Sequence, residues 1–263
     1  MRANTKKGGF DWFLNEVPDI FCLQETKAHP DQLEEGIRNP PGYYSFFDHS
    51  KVKKGYSGVA VYSKIKPSKV EYGLGIDKYD QEGRFLGLFF DNLSGSMDDS
   101  VKDIIKDIPK WALFNVYFPN GGGGPDRLQF KLEYYDEFLK YINRLKKSGY
   151  EIIFSGDINT AHTGIDLARP RENAENTGFL PIERAWIDRV IDSGYTDVFR
   201  DLHPDEREKY TYWDMKTFSR ERNVGWRIDY FFVTLGILKR VTKARILDQI
   251  LGSDHCPIDI FIE

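Results

Sequence analysis

Several polar residues stand where short apolar runs end, and their types suggest one chemistry. In SGDIN, Asp157 and Asn159 follow the apolar EIIF. Alternation along a strand turns residues two apart to the same face, so both can point into one site. Glu25 closes IFCLQE in the same style, and Asp254 and His255 stand together in GSDHCP just before the alternating PIDIFIE. Asp229 interrupts the apolar run WRIDYFFV. A carboxylate in a buried strand needs a partner, and an imidazole is a natural one. Each feature alone has an ordinary alternative: an Asp–Asn turn closing a hairpin, a solvated Glu at a strand end, a turn at DHCP. Together they form a set of hard oxygen donors with a single useful imidazole, which favours Mg2+ or Mn2+ over zinc. A zinc site wants Cys and His at short spacings, and the sequence contains neither CxxC nor HExxH. A cation beside carboxylates, with a histidine to stabilise charge, is equipment for hydrolysing a phosphate ester.

The elements that must position these residues are mostly short strands. Asp19–Leu23, Gly58–Tyr62, Phe85–Phe90, Trp111–Phe118 and Glu151–Phe154 read as buried or half-buried strands, followed by Arg227–Val233, Val241–Leu247 and Ile258–Ile262. The clearest helix begins at Pro125: Leu128, Leu132, Tyr135, Leu139 and Ile142 repeat at spacings of four and three, and Gly149 suits its stop. Gly9–Val17, Asp31–Arg38 and Pro181–Asp192 read as shorter helices. Several strands follow one another directly, which excludes simple βαβ winding and predicts two packed sheets covered by helices, a four-layer α/β/β/α sandwich. The expected organisation is one domain over residues 1–263, with Asp91–Lys110, polar and turn-rich, as a surface insertion.

Composition sets the outer limits. Across 263 residues, 40% are hydrophobic and 15% aromatic, enough for a large core and too many for a disordered chain. The net charge of −4 argues weakly against a nucleic-acid partner, but a carboxylate cluster that holds a cation would itself lower it. With only Cys22 and Cys256, a disulfide framework is not expected. No apolar run is long enough to span a bilayer, and MRANTKKGGFDWF does not read as a signal peptide. A cytoplasmic protein without a membrane partner is expected.

LQETK (Leu23–Lys27), NVYFPN (Asn115–Asn120), SGDINTAH (Ser155–His162), NVGWRIDYFF (Asn223–Phe232) and GSDHCP (Gly252–Pro257) resemble, in order, the signature blocks of the exonuclease III family of DNA-repair nucleases. The similarity runs from Arg2 to the C-terminus and leaves only the Asp91–Lys110 segment unmatched. The resemblance implies a DNase I-like α/β/β/α sandwich and Mg2+-dependent cleavage of the DNA backbone 5′ to abasic sites, with 3′→5′ exonuclease or 3′-end-cleaning activity. The implied partner is double-stranded DNA carrying abasic sites or blocked 3′ ends, acted on by a monomer. Carried over by motif, Glu25 is the principal metal ligand, with Asp254 nearby and Asp157 and Asn159 completing the metal set. Asp157 orients and deprotonates the attacking water, Asn159 holds a phosphate oxygen, and His255, oriented by Asp229, stabilises charge on the phosphoryl group. Tyr117 supplies a phenol near the scissile phosphate. Lys27, Tyr56, Asn120, Asn173, Asn176 and Lys216 fall at DNA-contacting positions, and Tyr212, Trp226 and Ile228 at the pocket for a flipped-out abasic sugar. From sequence alone, Trp226 reads equally well as a core aromatic.

Two departures from the family pattern bear on these expectations. The pattern places a strand reading SWNVNG before Arg2-Ala3, where this sequence has Met1. The expected consequence is a weakened metal shell and an exposed sheet edge, which keeps a non-catalytic, abasic-DNA-binding protein as an alternative. Gly121–Gly124 follow Asn120 in a loop where some relatives carry a basic wedge, so weaker product retention is expected. Another phosphoesterase of the same superfamily is the remaining alternative.

Overall fold

The computed structural model describes residues 9–91, 108 and 110–263, and the chain divides into two compact units. Most of the segment expected as a surface insertion lies outside the described residues. Asp91 ends one strand and Lys110 begins the next, and the two are cross-strand partners. Among the described residues, no helix is long and apolar enough to cross a membrane.

The first unit holds residues 1–117 and 145–156 together with Glu263. Strands β1 (Ile20–Leu23), β2 (Tyr44–Asp48) and β3 (Val59–Ser63) form an antiparallel sheet in the order β1-β3-β2, with Leu23 opposite Ala60. Strands β4 (Lys69–Tyr72), β5 (Phe85–Asp91) and β6 (Lys110–Tyr117) form a second antiparallel set, continued by β7 (Glu151–Asp157) beside β6. Apolar runs without alternation, FLGLFF and WALFNV, make β5 and β6 buried on both faces. The helix Gly9–Glu16 sets Phe10 and Phe13 against Tyr62, and Phe13 stacks on Phe21 with ring centroids 4.5 Å apart. The helix expected over Asp31–Arg38 is instead a 3-10 turn, Pro30–Gln32, followed by a single helical turn, Glu35–Arg38. The break falls at Leu33, which is buried in extended conformation, while His29 caps the first turn by accepting from the Asp31 amide.

The second unit holds residues 118–144 and 157–262. The expected long helix spans Pro125–Lys147, and of the expected face Tyr135, Leu139 and Ile142 are buried, within a wider buried face that Tyr141 also joins. Lys131, Tyr134, Tyr135, Phe138 and Ile142 face inward, while Leu128 and Leu132 are only half-buried. The periodicity therefore located the helix and most of its inner face, but not the buried lysine, which no hydrophobic count registers. The helix Pro181–Asp192 packs here through Trp186, which stacks on Tyr135 at 4.1 Å and donates to its carbonyl at 2.9 Å. Strand β8 (Tyr195–Asp197) pairs antiparallel with β9 (Asp229–Thr234), and β10 (Val241–Ile246) with β11 (Ile258–Ile262). Just before β9, Arg227 is 1% exposed and bridges Asp166 at 2.8 Å and Asp197 at 2.7 Å, with Arg200 also on Asp166. Burial alone would raise the Asp166 carboxyl's proton affinity, but the two guanidinium groups hold it well below the usual carboxylate range. This charged knot fixes the backbone from which Trp226, Ile228 and Asp229 project.

Candidate active site

In the first unit the chain turns sharply after β1. Glu25 and Lys27 both take left-handed backbone, with φ of 53° and 49°. Such conformations are rare for residues with side chains and persist only where the surroundings enforce them. Here the Thr26 amide donates to Gly58 O at 3.0 Å and the Lys27 amide to Ser57 O at 2.8 Å. Gly58 permits the approach: a Cβ there would lie 2.3 Å from Thr26 Oγ1. From β6, the fully buried Asn115 donates to Leu23 O and Ala60 O and accepts from Gln24 Nε2 at 2.6 Å, fixing the end of β1.

Glu25 is thereby presented with its side chain 37% exposed. Its Oε1 accepts from the Tyr117 hydroxyl at 3.2 Å and pairs with Lys27 Nζ at 2.8 Å. Buried Arg84 lies 4.6 Å from the Tyr117 ring centroid, donates to Tyr117 O at 2.9 Å and reaches the Tyr56 hydroxyl at 2.9 Å. Glu25, Lys27, Tyr117 and Tyr56 thus form one connected group in this unit. Asn115 and Arg84, which sequence reasoning assigned no part, are what position it. The only signal for either was a polar residue inside an otherwise apolar strand or at its mouth.

In the second unit the Asp–Asn turn and the buried site prove to be the same object. Asp157 Oδ1 accepts from the Asn159 amide at 2.7 Å and Oδ2 from its Nδ2 at 3.0 Å, closing a side-chain-stabilised turn. Asn159 sits at φ 58°, a conformation asparagine tolerates better than most residues. Its Nδ2 also donates to Phe118 O, and its Oδ1 accepts from Asn120 Nδ2 at 2.9 Å. Asn120 is held by the Gly122 amide, so the second of the loop glycines anchors the asparagine that bonds Asn159.

Asp229 Oδ2 lies 2.8 Å from His255 Nδ1. The Asp229 and Ile228 amides both donate to the buried Thr211 hydroxyl, and the Cys256 amide donates to Thr211 O, which locks the pair in register. Burial works against the imidazolium, but the charge and hydrogen bond of Asp229 outweigh it, with Asp157 and Asp254 adding to the effect. His255 is therefore held protonated well above its ordinary range. Burial, reinforced by Asp229, pushes the Asp157 carboxyl above the usual carboxylate range, while His255 pulls against the rise. Asp157, Asp229, Asp254 and His255 thus form one electrostatic group. Asp254 is half-buried, and its Oδ1 accepts from Ser253 Oγ at 3.1 Å.

Beside that group lies an apolar patch. Ile228, Ala161, Leu167 and Phe179 form a buried cluster with Tyr212 and Trp226 packed half-exposed on it. The Tyr212 ring is 5.0 Å from that of His255. Tyr212, Trp226 and Ile228 therefore come together as expected. Leu167 and Phe179 complete the patch, and no motif flagged them. Trp226 is both things the sequence allowed, a cluster member and a partly exposed ring. Asn173 and Asn176 are joined through Asn176 Nδ2 to Asn173 Oδ1 at 2.9 Å in a surface turn. Lys216 is exposed on a 3-10 turn and is not brought into either group by any contact described for it.

Among the described residues, no three His, Cys, Asp or Glu side chains have the geometry of a metal cage. The donor chemistry fits a hard cation in the mode Mg2+ favours, with one or two carboxylates and the remaining positions held by water and substrate phosphate. Taken each within its own unit, part-exposed Glu25 and half-buried Asp254 are carboxylates of the kind that mode uses.

Residues 10–255 match the model of the Endonuclease/Exonuclease/phosphatase family. The chain belongs to this family. It is 37% identical to the zebrafish (Danio rerio) protein named DNA repair nuclease APEX1, over 100% of this chain and 79% of that one. It is 36% identical to the Bacillus subtilis exodeoxyribonuclease, over 100% of this chain and 95% of that one. The structure superposes on the Xenopus laevis APE2 catalytic domain with a TM-score of 0.84, at 28% identity, covering 100% of this chain and 88% of that one. The α/β fold expected from the strand order, and its DNase I-like character implied by the resemblance, are thereby borne out. Members of the Endonuclease/Exonuclease/phosphatase family are generally divalent-metal dependent.

Proposed function

We propose that this family member is a DNA-repair phosphodiesterase that cleaves the backbone 5′ to abasic sites with Mg2+ or Mn2+, with associated 3′-end processing, acting as a monomer. The observation that carries the reading is the second unit's pairing of a high-affinity base with a fixed imidazolium, set beside an apolar patch. Asp157, with its proton affinity raised toward neutrality, is suited to take a proton from water. His255, charged and oriented by Asp229, is suited to stabilise negative charge growing on a phosphoryl oxygen. Asn159, whose two side-chain N–H groups are taken by Phe118 O and Asp157 Oδ2, holds the Asp157 carboxylate in place, and a phosphate that claimed its amide would have to displace one of these bonds. The patch of Trp226, Tyr212, Ile228, Phe179 and Leu167 offers an apolar surface for a sugar that has lost its base, a nucleotide that costs little stacking to extrude. A bound divalent ion would supply Lewis-acid polarisation of the phosphate. Within the first unit Glu25, and within the second Asp254, would each offer such an ion a carboxylate oxygen. Tyr117 and Lys27, which touch Glu25, set how much of its charge is available.

Two tests separate these roles. Glu25→Gln should raise the Mg2+ concentration needed for half-maximal nicking of an abasic duplex by roughly tenfold or more, because the ligand loses its charge. An unchanged Mg2+ titration would remove Glu25 from the metal site. Trp226→Ala should raise KM for an abasic duplex by about tenfold, equivalent to roughly 1.4 kcal/mol of lost apolar burial of the sugar, with a smaller effect on kcat. Equal KM values for the two proteins would leave the patch without a substrate role.

A further inference from the structure

Lys131 and Glu183 are both 0% exposed, and Lys131 Nζ lies 2.5 Å from Glu183 Oε1. The ammonium also donates to Asn159 O at 2.8 Å and to Thr160 Oγ1 at 2.9 Å, so its three donors have three fixed acceptors. On the other side, Glu183 Oε1 accepts from Thr177 Oγ1 at 2.8 Å, and Oε2 accepts from the Gly178 amide at 2.6 Å and the Leu180 amide at 3.1 Å. The pair therefore clasps two loops. One carries Asp157 and Asn159; the other, Thr177–Leu180, adjoins the Asn173–Asn176 turn and leads through Phe179 into the apolar patch. The loops are also joined by the Ala161 amide donating to Gly178 O, and Tyr135 supports the first through Ile158 O and Thr160 Oγ1.

A buried ion pair adds little net stability over a well-packed apolar replacement. What it does dictate is where each hydrogen-bond partner must lie. Asn159 is the residue most in need of such control, since it holds a left-handed backbone while its side chain bonds Asp157, Asn120 and Phe118 O.

We propose that Lys131 and Glu183 act as positioning residues, setting the Asp157–Asn159 turn against the Thr177–Leu180 loop so that the base, the asparagine that holds it and the sugar patch are aligned together. The proposal rests on the phosphodiesterase reading above. Neither residue touches substrate.

The test compares wild type with Lys131→Met/Glu183→Leu, Lys131→Arg and Glu183→Gln, by thermal melting, steady-state nicking of an abasic duplex with Mg2+, and hydrogen exchange at the Asn159, Ala161 and Gly178 amides. The double variant should melt below wild type, since both charges leave together but the Gly178 and Leu180 amides, Asn159 O and the Thr160 and Thr177 hydroxyls lose buried partners. Its kcat should fall about 10–100-fold, the scale of a small misplacement of reacting groups, with KM within about threefold, and the three amides should exchange at least tenfold faster. Lys131→Arg keeps the charge but not the three donor directions, so it should fall between wild type and the double variant in kcat. A folded double variant with wild-type kcat and protected amides would overturn the proposal. If the double variant does not fold, wild-type kcat in both Lys131→Arg and Glu183→Gln would overturn it equally. Failure of the wild type itself to nick abasic DNA would refute the phosphodiesterase reading instead, and the exchange data would still report on the clasp.

Discussion

Replacing Asp157 by Asn is expected to lower kcat for abasic-site cleavage by on the order of 10²–10⁴-fold, the usual contribution of a positioned general base, with little change in KM. The amide keeps the size of the side chain and an oxygen to accept from the Asn159 amide, but it cannot take a proton. The same substitution should not destabilise the protein at neutral pH. Burial raises the proton affinity of Asp157 in the folded state. For a carboxyl so shifted, the stability it contributes is fully present below its unfolded value, about 3.9, and is lost as pH rises through the folded one. A neutral Asn escapes that loss, so Asp157→Asn should melt at or above the wild-type temperature at pH 8. An inactive variant that also melts far below wild type would mean that Asp157 is a structural turn residue and no more. In wild type, the acid limb of kcat against pH should lie above the ordinary carboxylate range. An acid limb near about 4 would remove Asp157 as the base.

Asp229→Asn is the second large effect. It removes the charge that outweighs burial at His255 and leaves an amide facing Nδ1 at the observed 2.8 Å. The imidazole then loses both its fixed tautomer and its proton near neutral pH. By analogy with other His–Asp pairs, where the same change costs on the order of 10⁴-fold, kcat should fall by at least about 10²-fold. The alkaline limb of the pH profile should move down, since His255 is held protonated well above its ordinary value only while Asp229 is ionised. A wild-type alkaline limb in Asp229→Asn would show that the limb belongs to another group.

Much of this was legible in the sequence for a specific reason. Asp157, Asp229, Asp254 and His255 are polar residues at the ends or interiors of apolar strands, and burial forces such residues to find one another. The structure does bring them into one electrostatic group, and Asp229 is the partner of His255 that the interrupted WRIDYFFV run required. The strands recognised in advance include those buried on both faces, such as β5 and β6, and the alternating β11. The short strands β2, β4 and β8 escaped notice because half-exposed runs of three to five residues carry no decisive pattern.

What sequence could not show is the layer beneath the site. Asn115, Arg84, Thr211 and the Lys131–Glu183 clasp are polar residues at positions where local pattern predicts apolar ones, and each is explained only by partners distant in sequence. Lys131 lies on the buried face of an amphipathic helix and bonds a carbonyl 28 residues away. Leu167 and Phe179 were invisible for the opposite reason, being apolar residues in loops that read as ordinary filler until Trp226 is seen to rest beside them.

The central claim is most directly tested with a duplex containing one abasic site and a labelled strand, incubated with purified protein in the presence and absence of Mg2+. The account predicts a single Mg2+-dependent incision 5′ to the abasic site, no incision of the matched intact duplex, suppression by a chelator, and near-complete loss in Asp157→Asn. Incision that persists with the chelator, or that Asp157→Asn leaves at the wild-type rate, would contradict it.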